Sequence, residues 1–282
     1  MLAGQRVVHL PPEMSDNEIR PFLRWAGSKK QIVSQLEQFW QNGPRYVEPF
    51  AGSACLFFRL QPAKALLGDL NSELISTYRT VRDKVDSVHD VLSTYHNSVS
   101  HYRRIRSLPP SSLSMSERAA RFIYLNRFCF NGLYRTNQRG EFNVPYGGKK
   151  SGELPTLAHL RDCARLLKRA RLVTGSFERT LEFARVGDFV YMDPPFSVAA
   201  RRVFKEYNAS VFTDEDLRVL RSWMAKLASA GISFLVSYAQ SDEAQYLADG
   251  FSSRKVMVRR HIAGAFSNRV RSEEMLISYD AR

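Results

Sequence analysis

Asp188-Phe189-Val190-Tyr191-Met192 runs directly into Asp193-Pro194-Pro195-Phe196, and this stretch decides the fold. The first five residues carry the dense apolar, aromatic and β-branched pattern of a strand covered on both faces, as in a parallel sheet. The prolines then stop it. Each fixes its own φ and pushes the residue before it out of the α region. Asp193 and Pro194 are therefore held extended, with Pro195 locking the corner. Ligands of open parallel sheets sit at the carboxyl ends of the strands, so this corner is where a site belongs. The Asp193 carboxylate and the Pro194 carbonyl form a rigid pair of acceptors, and Phe196 adds a flat apolar surface. Such a platform suits a planar amine whose lone pair is delocalised into a ring. Two acceptors on its two hydrogens help to turn that lone pair out of conjugation, and fixed positioning of this kind is a large catalytic contribution. Stacking of a base on Phe196 would add roughly 1–3 kcal/mol. Taken alone, the tetrapeptide also fits a plain strand end with Asp193 as a turn residue.

Upstream, the chain alternates. Gly27-Ser28-Lys29 opens an expected helix to about Trp40, with Ile32, Val33, Leu36 and Phe39 at helical spacing. Residues 46–50 read as a strand, a helix starts near Cys55, residues 65–68 form a second strand, and 70–81 is helical. This is a β-α-β-α order and implies a parallel sheet. From about 79 to 150 the rhythm breaks into a basic, partly helical segment. After it come helix 156–170, strands 171–174 and 188–192, helix 214–230, strand 232–237, and strands 254–262 and 273–280. The expected organisation is a leader over 1–20, a catalytic α/β domain over 21–78 and 151–282, and an inserted domain over 79–150.

With 282 residues, 44% of them hydrophobic, the chain suits one α/β domain with a smaller insertion. It contains no apolar run of about 18 residues, so no membrane span is expected. No secretory pattern opens it, and Cys55, Cys129 and Cys163 are far apart, which fits a reducing cytoplasm and no structural metal. The six histidines are scattered and suggest neither a base nor a metal ligand. The formal charge is +13, which favours polyanionic partners. Between Arg79 and Arg171 there are 18 Lys and Arg against 7 Asp and Glu, so the excess lies mostly in the middle third.

Three further segments have the form of a site for S-adenosylmethionine. Residues 22–29 (Phe-Leu-Arg-Trp-Ala-Gly-Ser-Lys) bring a ring, Trp25, together with a cation, Lys29, able to pair with a methionine carboxylate near a helix N-terminus. Residues 48–53 (Glu-Pro-Phe-Ala-Gly-Ser) form a strand-to-helix turn whose small residues, Gly52 above all, permit close backbone approach beside Phe50. Residues 68–71 (Gly-Asp-Leu-Asn) place Asp69 at the end of the next strand, where an acidic residue binds ribose hydroxyls in dinucleotide folds. Singly, Trp25 fits a core residue, Gly52 a simple turn and Asp69 a helix cap.

With RWAGSK at 24–29, VEPFAGSA at 47–54, GDLNSELI at 68–75, LNRFCFNGLYRTNQRGEFNVPYG at 125–147 and DPPF at 193–196, the chain resembles the DNA adenine methylase (Dam) family of D12 class N6-adenine methyltransferases over about residues 20–280. The resemblance implies a Rossmann-like, S-adenosylmethionine-dependent methyltransferase domain with a small, mostly helical DNA-recognition domain that bears a β-hairpin. By position, Trp25, Lys29, Asp69 and Asp193 match cofactor-contacting residues, and Phe50 and Gly52 line the cofactor turn. Ser176 and Phe177 match the segment that packs on the cofactor adenine, and Arg24 matches a basic residue that reaches the duplex. Phe196 stands where Tyr is often found, which preserves stacking. Residues 263–271 match the family pattern less well.

The 125–147 segment interleaves aromatics and cations, with a tight turn at Asn131-Gly132. Arg135 suits a bidentate contact to a guanine edge, worth about 1–3 kcal/mol of discrimination, and Phe130 could fill the gap left by a flipped-out base. The resemblance puts Phe130, Asn131, Leu133 and Arg135 at the recognition turn, with Arg139 beside them, whereas Tyr124 and Phe128 read as core. It implies double-stranded DNA as partner and GATC as first target; no dimerisation segment is visible, so a monomer is the default expectation, in the cytoplasm with the nucleoid. Other acceptors, cytosine N4 or RNA, are opposed by the central match. A silent DNA-binding protein is opposed by the intact Asp193, Lys29 and Asp69. A nicotinamide enzyme is opposed by the lack of a GxGxxG after the first strand.

Overall fold

The computed structural model describes residues 18–148, 152–195, 212–261 and 269–281. Phe196 and most of the 1–20 leader lie outside them. A seven-stranded sheet runs through the chain: β1 (Arg45–Glu48), β2 (Ala65–Asp69), β3 (Ala170–Thr174), β4 (Asp188–Met192), β5 (Ser233–Ala239), β6 (Ser252–His261) and β7 (Arg269–Tyr279). Its order is β3-β2-β1-β4-β5-β7-β6. Strands β3 to β5 in that order are parallel, while β7 is antiparallel to both β5 and β6. The order reverses between β1 and β4, which makes their carboxyl ends the switch point of the sheet. The fold is a Rossmann-like, doubly wound α/β fold with an antiparallel strand at one side of the sheet.

The helices are α1 (Val33–Leu36), α2 (Cys55–Leu60), α3 (Ser72–Ser93), α4 (Val99–Ser107), α5 (Met115–Phe128), α6 (Leu157–Leu167), α7 (Phe177–Leu181), α8 (Asp214–Ser229) and α9 (Asp242–Ala248). Side chains alternate across a strand with period two, and two core clusters sort accordingly. Tyr46, Leu67, Tyr191 and Leu235 face the cluster that holds residues of α2, α3, α5 and α6. Their chain neighbours Val47, Leu66, Val190, Phe234 and Val236 face the cluster built with α7, α8 and α9. Each fully buried side chain of this kind stabilises the fold by about 1.5–3 kcal/mol.

Helix starts are set by side-chain caps. Asn71 Oδ1 accepts from the Leu74 N–H at 3.1 Å to open α3, and capping boxes at Ser114/Glu117 and Thr213/Asp216 open α5 and α8. The expected helix from Gly27 to Trp40 is instead two 3-10 turns, Lys29–Gln31 and Glu37–Phe39, flanking α1. Ser28 makes no side-chain cap there, so a longer helix would lack that partner for its first N–H groups. The helix expected over 70–81 runs on to Ser93 across a kink at Lys84, and residue 79 lies within its first stretch. Tyr124 and Phe128 are core, as the sequence suggests.

Candidate active site and recognition turn

Three adjacent strand ends supply three carboxylates: Glu48 from β1, Asp69 from β2 and, one residue past β4, Asp193. The turn after β1 is tied down by Asp69. Its Oδ2 accepts from the Gly52 N–H at 2.9 Å and its Oδ1 from the Asn71 N–H at 2.8 Å. Tyr78, buried on α3, donates to the Gly52 carbonyl at 2.6 Å. Gly52 has φ +46°, and a β-carbon there would lie 2.9 Å from Trp25 Cδ1, so the indole covers the glycine closely. Burial raises the Asp69 carboxyl above its ordinary pKa, and the two backbone donors oppose that shift. Phe177, after β3, stacks on Phe50 with ring centroids 5.2 Å apart, and Ser176 caps its helix without a side-chain hydrogen bond.

Asp193 is held from two sides. Lys29 Nζ lies 2.7 Å from its Oδ1, and Ser237 donates to the same oxygen at 3.1 Å. Lys29 is only 6% exposed, lies 3.7 Å from Glu274 and also donates to the Gly27 carbonyl. Glu48 is 3% exposed, and its Oε2 has no hydrogen-bond partner among the described residues. Burial first, and then the nearby charges of Asp193 and Asp69, push its carboxyl well above the usual range. Asp193 and Glu274 both approach Lys29, so two carboxylates share one buried cation. Pro194 is buried and Pro195 exposed.

The Arg24-Trp25 dipeptide bridges these residues to the turn over Phe130–Gly132. Asn126, buried on α5, accepts from the Arg24 N–H at 2.8 Å and donates to the Arg24 carbonyl at 2.5 Å. The Arg24 guanidinium donates to the Arg127 carbonyl at 3.0 Å. Trp25 stacks on Tyr134 with centroids 6.2 Å apart. A 3-10 turn over Phe130–Gly132 follows α5, with Asn131 at φ +54° and Gly132 at +65°. A β-carbon on Gly132 would lie 2.9 Å from the Arg24 β-carbon. Phe130 is 41% and Leu133 38% exposed. The hairpin beyond it is marked by the bridges Cys129–Tyr146 and Thr136–Phe142 and turns at Asn137–Gly140, with Arg139 exposed at its tip. Arg135 Nε donates to Asn143 Oδ1 across that hairpin at 2.8 Å.

The sequence-derived candidates thus fall into two groups joined by Arg24-Trp25. Sequence reasoning did not single out Ser237, Glu274, Tyr78 or Asn126. Ser237 and Asn126 interrupt apolar runs, Tyr78 and Glu274 lie in polar stretches, and the role of each depends on a partner remote in the chain. No group of three or more His, Cys, Asp or Glu among the described residues could hold a metal ion. None of the described helices is long and apolar enough to cross a membrane.

Carboxylates and small residues at the switch point of a doubly wound sheet define a candidate ligand site. The family model for D12 class N6 adenine-specific DNA methyltransferases matches residues 25–262, and the chain belongs to that family. It is 33% identical over 270 residues to Type II methyltransferase M1.LlaDCHI of Lactococcus lactis, covering 92% of this chain and 95% of the relative. It is 34% identical over 269 residues to Type II methyltransferase M.MjaIII of Methanocaldococcus jannaschii, covering 87% and 93%. It is 31% identical over 265 residues to the DNA adenine methylase of Escherichia coli, covering 92% and 95%. The protein is an adenine-specific DNA methyltransferase.

Proposed function

We propose that the protein transfers a methyl group from S-adenosylmethionine to N6 of an adenine flipped out of duplex DNA, within GATC. The observation that carries this reading is Asp193, an acceptor fixed at the switch point by Lys29 and Ser237. The residues present suit the donor. Lys29 suits its carboxylate and Asp69, at the end of β2, its ribose hydroxyls. Trp25, Phe50, Gly52, Ser176 and Phe177 line the remainder. When bound, this molecule supplies an electrophilic methyl carbon. Asp193 and Pro194 accept the two amine hydrogens, Pro195 holds the corner, and Phe196 stacks on the base. The amine nitrogen forms the new bond to the methyl carbon, the sulfur keeps the bonding pair, and the extra proton leaves to solvent.

On the DNA side, Arg24, Phe130, Asn131, Leu133, Arg135 and Arg139 contact the duplex. The exposed Phe130 and Leu133 suit the space vacated by the adenine. We assign residues 79–150 to target recognition and the flanking segments, 21–78 and 151–282, to catalysis, in a monomer working on the nucleoid. A restriction-linked role at another sequence is the second reading, favoured by the likeness to two Type II methyltransferases. The test is Asp193→Ala with labelled methyl donor and duplex DNA. Incorporation should fall by at least about 1000-fold while duplex affinity is retained, and unchanged incorporation would remove Asp193 from the reaction.

A further inference from the structure

Ser237 is fully buried on β5, whose register places Met192 opposite Val236, so Ser237 lies alongside the residue that follows β4. We propose that Ser237, oriented by Tyr191, is a positioning residue that commits Asp193 Oδ1 to the protein and leaves Oδ2 to take an amine hydrogen of the substrate. This rests on the reading of Asp193 as the amine acceptor.

The hydrogen-bond chain permits only one polarity. Ser237 has a single hydroxyl proton and gives it to Asp193 Oδ1 at 3.1 Å. Its oxygen lies 2.9 Å from the Tyr191 hydroxyl, so Tyr191 must be the donor of that bond. Tyr191 is suited to the task. Burial, reinforced by the Asp193 charge, raises its phenol far above the ordinary value, and it keeps its proton. Lys29 approaches the same Oδ1 at 2.7 Å. Two donors on one carboxylate oxygen fix the rotation of the group about its Cβ–Cγ bond. The second oxygen is thereby aimed, and no hydrogen bond within the described residues engages it. An acceptor free to rotate would spend much of its time out of line with the amine, and misplacement of this order costs rate rather than binding. The backbone adds to the design: the prolines fix the main chain of Asp193, and Ser237 with Lys29 fixes its side chain.

The test is steady-state methylation of duplex DNA by Ser237→Ala, Ser237→Thr and Tyr191→Phe, with Asp193→Ala alongside. Loss of a hydrogen bond to a charged group predicts that Ser237→Ala lowers kcat about 10- to 100-fold. KM for S-adenosylmethionine and the duplex Kd should stay within about 3-fold, because a positioning role acts on the transition state alone. Ser237→Thr keeps the hydroxyl and should recover most of the rate. Tyr191→Phe should give a smaller loss in kcat, and it carries the same test should Ser237→Ala fail to fold, because it leaves the packing shape intact. A wild-type kcat in Ser237→Ala, or a loss confined to KM, overturns the relay while Asp193→Ala is still inactive. Full activity in Asp193→Ala overturns the acceptor reading instead.

Discussion

Gly52 shows most plainly how single residues shape the pocket. Its φ of +46° lies in the left-handed region, and the Trp25 indole leaves no room for a β-carbon. Gly52→Ala should therefore weaken methyl-donor binding by about 10-fold or more by calorimetry, the equivalent of about 1–2 kcal/mol of left-handed strain. Equal affinity in the variant would show that the turn is not part of the donor site. Glu48 makes a different prediction. Its folded pKa is raised, so its share of stability is complete below the unfolded value of about 4.3 and is lost as pH rises toward the folded one. Glu48→Gln removes that loss. The melting temperature of the variant minus that of the wild type should thus be more positive at pH 8 than at pH 5. A difference that does not change with pH would mean that Glu48 titrates normally.

Among elements, those with long apolar periodicity were legible beforehand. Strand β4 falls where the residues place it, and α8 within a residue, because Leu217, Leu220, Met224 and Leu227 keep strict helical spacing. The short helices α7 and α9 were not, since five and seven residues are too few to show a period. Helix α3 outran its reading because Asp83, Lys84 and Asp86 interrupt the apolar stripe at the point where the helix breaks and continues. The site was half legible. Asp193, Lys29 and Asp69 announce themselves by local pattern, while Ser237 and Asn126 act only through residues far along the chain. Asn126 binds both backbone groups of Arg24, and removing it breaks two hydrogen bonds worth roughly 0.5–1.5 kcal/mol each. Asn126→Ala should lower the melting temperature and reduce discrimination between target and non-target duplexes. Intact discrimination would detach α5 from target reading. Arg135→Ala should likewise relax site preference by about 10-fold or more, and an unchanged preference would take Arg135 off the recognition surface.

At the scale of the molecule, charge and topology act together. The sheet sets the carboxylates of β1, β2 and β4 side by side, and the basic middle third of the chain supplies the attraction for a polyanion. Both core clusters meet at the sheet, so the strand-end carboxylates and the Phe130–Gly132 turn are braced by the same packed interior. Such a body should present a duplex adenine to Asp193 at a defined sequence. The most direct measurement of that claim is methylation of mixed-sequence duplex DNA with S-adenosylmethionine, followed by sequencing that maps the modified base. The account predicts N6-methyladenine confined to one short site, GATC first, and absent from the Asp193→Ala reaction. Modification of cytosine, or no modified adenine with properly folded protein, would contradict it.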